Sequence, residues 1–144
     1  MKIYVASSWR NNDQPFVVEE LRILGHDVYD FKNPNEHDKG FAWSDIDENW
    51  QNWTTEEYIK ALEHPIAEAG YMNDFNAMQE ADACVMVLPC GRSANTEAGW
   101  MKGMGKKVYV LQLNKEEPEL MYKIYDAVLG SIPELRQYFA NISV

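Results

Sequence analysis

The sequence predicts an α/β protein: a three-layer sandwich in which a parallel sheet of four to five strands is covered by helices on both faces. Short β-rich runs recur at Lys2 to Ala6, Asp27 to Phe31, Asp82 to Leu88 and Lys107 to Leu113. Helical patterns fill the intervals between them, and strands that alternate with helices pair in parallel through crossovers. The 144 residues, 46% of them hydrophobic and 25% charged, suit one domain spanning 1–144 with a core of its own.

The first strand, Lys2-Ile3-Tyr4-Val5-Ala6, ends where the chain turns polar at Ser7. A helix is expected from Pro15 to Leu24, stopped by Gly25 in the position after a helix C-terminus. The second strand follows. Residues 32–53, "KNPNEHDKGFAWSDIDENWQNW", then make a long connection without clear periodicity. Phe41, Trp43, Trp50 and Trp53 speak against disorder there, and the segment reads as an ordered aromatic flap. Thr54-Thr55-Glu56-Glu57 has the form of a capping box, and His64-Pro65 introduces a helix expected over Ile66 to Glu80. The third strand, with Ala83-Cys84-Val85-Met86-Val87-Leu88, is apolar throughout, as a strand buried on both faces should be. A helix from about Thr96 to Met104 leads through Gly105 to the fourth strand. Further helices are expected at Glu119 to Leu129 and, behind the capping box Ser131-Ile132-Pro133-Glu134, at Pro133 to Phe139.

Thirteen basic against 23 acidic residues give a net charge of -10, which disfavours duplex or long single-stranded nucleic acid. A small anion remains compatible, since one local Arg and a few backbone N–H groups hold a phosphate whatever the global charge. Two cysteines, Cys84 and Cys90, build no disulfide framework. The opening has no secretory core and no apolar run reaches membrane length, so a cytoplasmic protein with reduced thiols is expected, with no membrane partner. In that compartment the glycosylation patterns at Asn52-Trp53-Thr54 and Asn141-Ile142-Ser143 have no meaning.

Ligands of open parallel sheets bind at the carboxyl ends of the strands. That rule selects Ser7-Ser8-Trp9-Arg10 after the first strand, the aromatic flap after the second, and the run Cys90 to Glu97 after the third. Gly91 permits a tight turn, Ser93 or Asn95 is placed to cap the next helix, and Glu97 falls in its first turn, where it complements the helix dipole. Asp74 lies about two turns before the third strand, within reach of the same crevice. Two carboxylates facing one pocket are the arrangement that cleaves glycosidic bonds, one at the anomeric carbon and one handling protons.

Lys2-Ile3-Tyr4-Val5-Ala6-Ser7-Ser8-Trp9-Arg10, Asn73-Asp74-Phe75-Asn76, Ala81-Asp82, Thr96-Glu97-Ala98-Gly99 and Gly105-Lys106-Lys107-Val108 together resemble the nucleoside 2-deoxyribosyltransferase superfamily, which includes the 2′-deoxynucleoside 5′-phosphate N-hydrolases. The likeness spans about residues 1 to 113. It implies a flavodoxin-like, Rossmann-like sheet and a double displacement in which Glu97 attacks C1′ to form a covalent ribosyl enzyme. It also implies that Tyr4 hydrogen-bonds that carboxylate and that Asp74 contacts sugar or base and assists proton transfer. Ser8, Arg10 and Ser93 match residues that bind a 5′-phosphate in the nucleotide-hydrolysing branch, and Arg92 has the same chemistry. A surface ion pair is the competing reading of each Arg.

The sequence departs from the transferase branch before Glu97, where Cys90-Gly91-Arg92-Ser93-Ala94-Asn95 lacks an acidic residue that handles the base. Base handling then falls to Asp74, to Asn95, to the flap or to a second subunit. The resulting expectation is N-glycoside hydrolysis of a nucleoside 5′-monophosphate, with base exchange, cleavage of NAD, and a non-catalytic nucleotide sensor as alternatives. Trp43 or Trp50, and separately Trp9, are candidates to stack on base or sugar. A homodimer or larger homo-oligomer is implied, and neither a metal nor an organic cofactor is required. Asp45, Asp47 and Glu48 lack the spacing of a calcium loop and read as a solvated acidic turn. Cys90 has no His placed to activate it as a nucleophile.

Overall fold

The computed structural model describes residues 1–35 and 37–140, so the pattern Asn141-Ile142-Ser143 lies outside the described residues. Contacts divide the chain into two compact units, residues 1–30 with 78–144, and residues 31–77.

The first unit is built on five parallel strands: β1 Lys2–Ala6, β2 Asp27–Asp30, β3 Ala83–Val87, β4 Lys107–Leu111 and β5 Ala127–Leu129, in the order β2-β1-β3-β4-β5. This is the flavodoxin-like order, which reverses direction between β1 and β3 and opens a crevice there, outside the carboxyl ends of the strands. Three helices belong wholly to this unit: α1 Gln14–Ile23, α4 Arg92–Gly103 and α5 Ile132–Ala140. Side chains alternate across the sheet. Ile3, Val5, Val85, Val87 and Leu111 share one apolar cluster with Val17 and Leu21 of α1 and Leu135 and Phe139 of α5. Tyr4, Cys84 and Val108 take the other face, on which α4 packs against β1, β3 and β4 through the buried Ala94, Ala98 and Met101. The expected helix-on-both-faces arrangement is therefore present.

The glycines close the turns as expected, with Gly25 at φ 94° after α1 and Gly105 at φ 83° after α4, both in the left-handed region that glycine enters at little cost. Ser131 accepts from the Glu134 N–H at 3.2 Å, but the Glu134 carboxylate turns to the Gly130 N–H instead of that of Ser131, so the box is displaced by one residue. Asp82 is a clip at the amino ends of the strands: its carboxylate accepts from Lys2 N at 2.9 Å while its own N–H reaches Lys2 O at 2.8 Å.

Two elements differ from the sequence expectation. Glu119 to Leu129 is not a helix: a 3-10 segment, Leu120–Ile124, passes through Tyr125 and Asp126 into the edge strand β5. Asp126 fixes that change of course, accepting from Val108 N at 2.8 Å and from Lys102 Nζ at 3.2 Å, which seats β5 beside β4. The other difference is α4, which begins four residues earlier than expected, at Arg92.

In the second unit, 3-10 turns at Trp43–Asp45 and Trp50–Asn52 precede α2 Thr55–Ala61, and most of α3 Pro65–Glu80 follows. The Thr54 capping box is complete: Thr54 Oγ1 accepts from Glu57 N at 3.2 Å and Glu57 Oε1 from Thr54 N at 3.1 Å. No helix among the described residues is long and apolar enough to cross a membrane.

Candidate functional site

The loops after β1 and β3 are stapled together. Asn11 Nδ2 donates to Val87 O at 3.3 Å and to Pro89 O at 3.1 Å, while its Oδ1 accepts from the N–H groups of Asp13 and Gln14 at the start of α1. Ser7 adds a bond from its hydroxyl to Val87 O at 2.8 Å. Ser7 is buried, and its donor is committed to the scaffold. Asn11 escaped the sequence reading, although Asn11-Asn12-Asp13-Gln14-Pro15 has the look of a helix start. Ser8 Oγ accepts from Arg10 N at 3.2 Å, which fixes the loop while leaving Trp9 and Arg10 exposed. Neither Arg10 nor Arg92 enters an ion pair among the described residues, contrary to the surface-pair reading.

Beyond β3 the N-cap of α4 is Gly91, with no side-chain cap bond, so Ser93 and Asn95 do not cap the helix as expected. Arg92 and Ser93 are exposed in its first turn. Asn95 instead reaches back, its Nδ2 donating to Gly91 O at 2.8 Å and lying 3.7 Å from Cys90 Sγ, while its Oδ1 accepts from the Tyr122 hydroxyl at 2.9 Å. The 3-10 segment is thereby tied to this loop, which makes Tyr122 a loop-fixing residue that the sequence did not single out. Because the helix starts at Arg92, Glu97 stands in its second turn, and the dipole of the first turn is not the reason for an acid at this position.

Glu97 is placed by another partner. The Tyr4 hydroxyl donates to its Oε2, joining residues 93 apart in the chain. Tyr4 is fully buried, and its ring stacks on Tyr29 of the neighbouring strand, centroids 5.2 Å apart and 12° from parallel. On the opposite side Tyr4 registers with Cys84, whose thiol is pushed up strongly by burial and further by the Glu97 charge. Cys90 is likewise pushed up to about 11, first by burial and then by the charges of Glu97 and Glu116. Both thiols are therefore protonated at neutral pH, and Cys90 is a poor nucleophile.

The second unit carries the other candidates. Trp43 sits at the centre of an aromatic cluster, edge-on to Phe41 (4.8 Å), Trp53 (5.7 Å) and Tyr58 (6.0 Å). Asp47 belongs to this scaffold: its carboxyl is held below the usual range by the Asn49 N–H and by the Trp53 indole N–H at 2.8 Å. A cavity of about 310 Å³ in this unit is lined by Phe31, Phe41, Asp38, Asp45 and Asp74 among others, with Asn73 donating to Asp38 at 2.9 Å. Phe41, not Trp43, is the cluster member on that lining. Trp50 is partly exposed.

The parallel sheet in the order β2-β1-β3-β4-β5 is matched by known folds. A 2-deoxyribosyltransferase from Bacillus psychrosaccharolyticus is similar with a TM-score of 0.62 and 20% identity, over 99% of this chain and 93% of that one. The chain folds like a 2-deoxyribosyltransferase. A conserved protein from Enterococcus faecalis V583 (TM-score 0.60, 16% identity, 96% of each chain) and a CMP N-glycosidase from Clostridium botulinum (0.52, 15%, 96% of this chain and 97% of that one) share the fold. At such identities the likeness is one of fold, and it agrees with the flavodoxin-like sheet implied by the motifs. No protein-family model and no curated protein matches the chain.

Proposed function

We propose that this protein is an N-glycosidase that cleaves the base–sugar bond of a small nucleotide, a nucleoside 5′-monophosphate, with Glu97 as nucleophile. The observation that carries the reading is the hydrogen bond from the buried Tyr4 hydroxyl to the Glu97 carboxylate beside the β1/β3 switch point. A nucleophilic carboxylate must stay ionised and hold one oxygen still, and a donor fixed in the sheet favours both. In the first step the other oxygen of Glu97 attacks C1′. The C1′–N bond breaks with its electron pair passing to the base, which leaves with a proton from the proposed proton carrier Asp74, reprotonated by the water of the second step. Water then hydrolyses the glycosyl ester, restoring the carboxylate and releasing the sugar 5-phosphate.

Arg10, Arg92, Ser8 and Ser93 are assigned to the phosphate. The exposed guanidinium groups have no ion-pair partner among the described residues, and Ser93 stands in the first turn of α4, where backbone N–H groups also favour an anion. Ser7, Gly91 and Asn95 serve this site as loop-formers, and Trp9 is assigned to the sugar or base. Asp74 enters from the sequence resemblance alone, as a sugar ligand or proton carrier, and a homodimer or larger assembly is part of the same proposal.

The test is incubation with nucleosides, nucleoside 5′-monophosphates and NAD, with released base measured chromatographically. Release from monophosphates that disappears in Glu97→Ala is the expected result. Release only when an acceptor base is added would make the chain a transferase. Tight binding without release would make it a sensor, a reading favoured by the absence of an acid between Cys90 and Asn95.

A further inference from the structure

We infer that Tyr29 is a positioning residue, which sets the Glu97 carboxylate by holding the ring of Tyr4; this inference rests on the catalytic reading above. Tyr4 and Tyr29 are register partners on adjacent parallel strands, so their side chains leave the same face of the sheet side by side. Their rings stack at 5.2 Å with 12° between planes. The opposite neighbour of Tyr4 in register is Cys84 on β3, fully buried like Tyr4 itself. The Tyr4 ring is thus walled by an aromatic plane on one side and a small thiol on the other. Held between them, its hydroxyl donates to the Glu97 Oε2.

The wall is built unequally. β3 is interior to the sheet and its residues Ala83 to Val87 are all buried, whereas Tyr29 lies on the edge strand β2 and is only half-buried. From that position its ring lies parallel to that of Tyr4 and confines the two side-chain torsions of Tyr4. The phenol of Tyr29 is not required by this reasoning, since the stacked plane does the confining.

The experiment compares the full-length wild type with Tyr29→Phe, Tyr29→Leu, Tyr4→Phe and the Tyr29→Leu/Tyr4→Phe double variant. With the best substrate from the panel, Tyr29→Phe is expected to keep wild-type kcat. Tyr29→Leu is expected to lower kcat about tenfold with little change in KM, because an alignment used in the transition state is lost and ground-state binding is not. In the Tyr4→Phe background, the Leu substitution should cost nothing further, a result that a merely structural role for Tyr29 would not produce. Additive losses in the double variant, or equal losses in Tyr29→Phe and Tyr29→Leu, overturn the proposal.

A second readout needs no turnover, so it separates failure of this inference from failure of the catalytic reading. The Tyr4 hydroxyl proton should give a downfield proton resonance, assigned by its absence in Tyr4→Phe and in Glu97→Gln. It is expected to persist in Tyr29→Phe, and to move upfield or vanish by exchange in Tyr29→Leu. A resonance unmoved in Tyr29→Leu, or absent from the wild type, refutes the positioning role even if base is released. Tyr29→Met, read in the same two ways, replaces the Leu variant if that one does not fold.

Discussion

Gly70→Ala sets two effects of known size against each other within the second unit. Alanine in place of glycine inside a helix gains about 0.8–1.0 kcal/mol. At Gly70, however, an added methyl would lie 2.8 Å from Phe41 Cβ and 3.0 Å from both Cγ and Cδ1 of that ring. The closest of these atoms is bonded to the backbone, so a rotamer change does not relieve the clash. Phe41 also leans edge-on against Trp43, which in turn meets Trp53 and Tyr58, and the displacement is handed to the whole cluster. Overpacking of this kind costs about 1–3 kcal/mol, so the balance is a net loss on the order of 1 kcal/mol. Urea unfolding followed by tryptophan emission measures it, since Trp43 and Trp53 lie inside the cluster. The control is Phe41→Gly, which removes all three contacting atoms; in that background the same Gly70→Ala change should become stabilising by about the propensity gain. A Gly70→Ala protein about 1 kcal/mol more stable than wild type would refute the reasoning, because the close approach would then carry no cost.

Three further outcomes are expected. Thr54→Ala should destabilise the protein by about 1 kcal/mol, since α2 has only seven residues and starts on the Thr54–Glu57 box; faster hydrogen exchange of the Glu57 N–H would show the loss at its source. Glu20 receives two bonds from the Arg136 guanidinium, at 2.6 and 2.9 Å, and that pairing holds its carboxyl below the ordinary value of 4.5. A depressed folded-state value contributes stability above the unfolded value and loses it as pH falls through the folded one, so the melting temperatures of wild type and Arg136→Met should differ at neutral pH and converge as the pH is lowered well below 4.5. The Cys90 thiol, pushed up to about 11, should alkylate slowly at pH 7 and about tenfold faster per pH unit as the solution becomes alkaline. Glu97→Gln should speed that alkylation at fixed pH by removing a neighbouring negative charge; an unchanged rate would mean that Glu97 does not sense Cys90.

Four of the five parallel strands, all but β5, were legible because each is a compact apolar or alternating run that ends in a polar loop. Lys2–Ala6 was read to the residue, and Ala83–Val87 to within one at either end. The start of α4 was not legible, because Arg92-Ser93-Ala94-Asn95 is polar except for one alanine and Gly91 supplies no capping side chain; only the packing of Ala94 under the helix reveals it. Glu119 to Leu129 reads as a helix because apolar residues recur at four-residue spacing, at Leu120, Ile124 and Val128. What overrides that periodicity is Asp126, whose bonds to Val108 and Lys102 come from distant segments. In the site, Tyr4 and Glu97 were reached through resemblance, while Tyr29 went unremarked. The signal was nevertheless present, since Lys2-Ile3-Tyr4 and Asp27-Val28-Tyr29 carry the same polar, apolar, tyrosine phase and parallel strands in register place like positions side by side.

The run Pro89 to Trp100 then has a physical explanation in which its small residues matter as much as its acid. Ala94, Ala98 and Met101 lie at i, i+4 and i+7, and the two alanines, buried to 1% and 0% exposure, are the smallest side chains that can face the sheet there without glycine's cost. The distance at which a helix packs depends on the side chains at the contact, so an alanine face draws α4 close to β1 and β3. Glu97, one residue before Ala98, is carried inward with that face and is half-buried. Its carboxylate thus meets a phenol that rises from the sheet by the full length of a tyrosine. A bulkier residue at 94 or 98 would lift the helix and draw the two groups apart without touching either. The pairing of Tyr4 with Glu97 is therefore a property of the alanine face as well as of the two residues that make the bond.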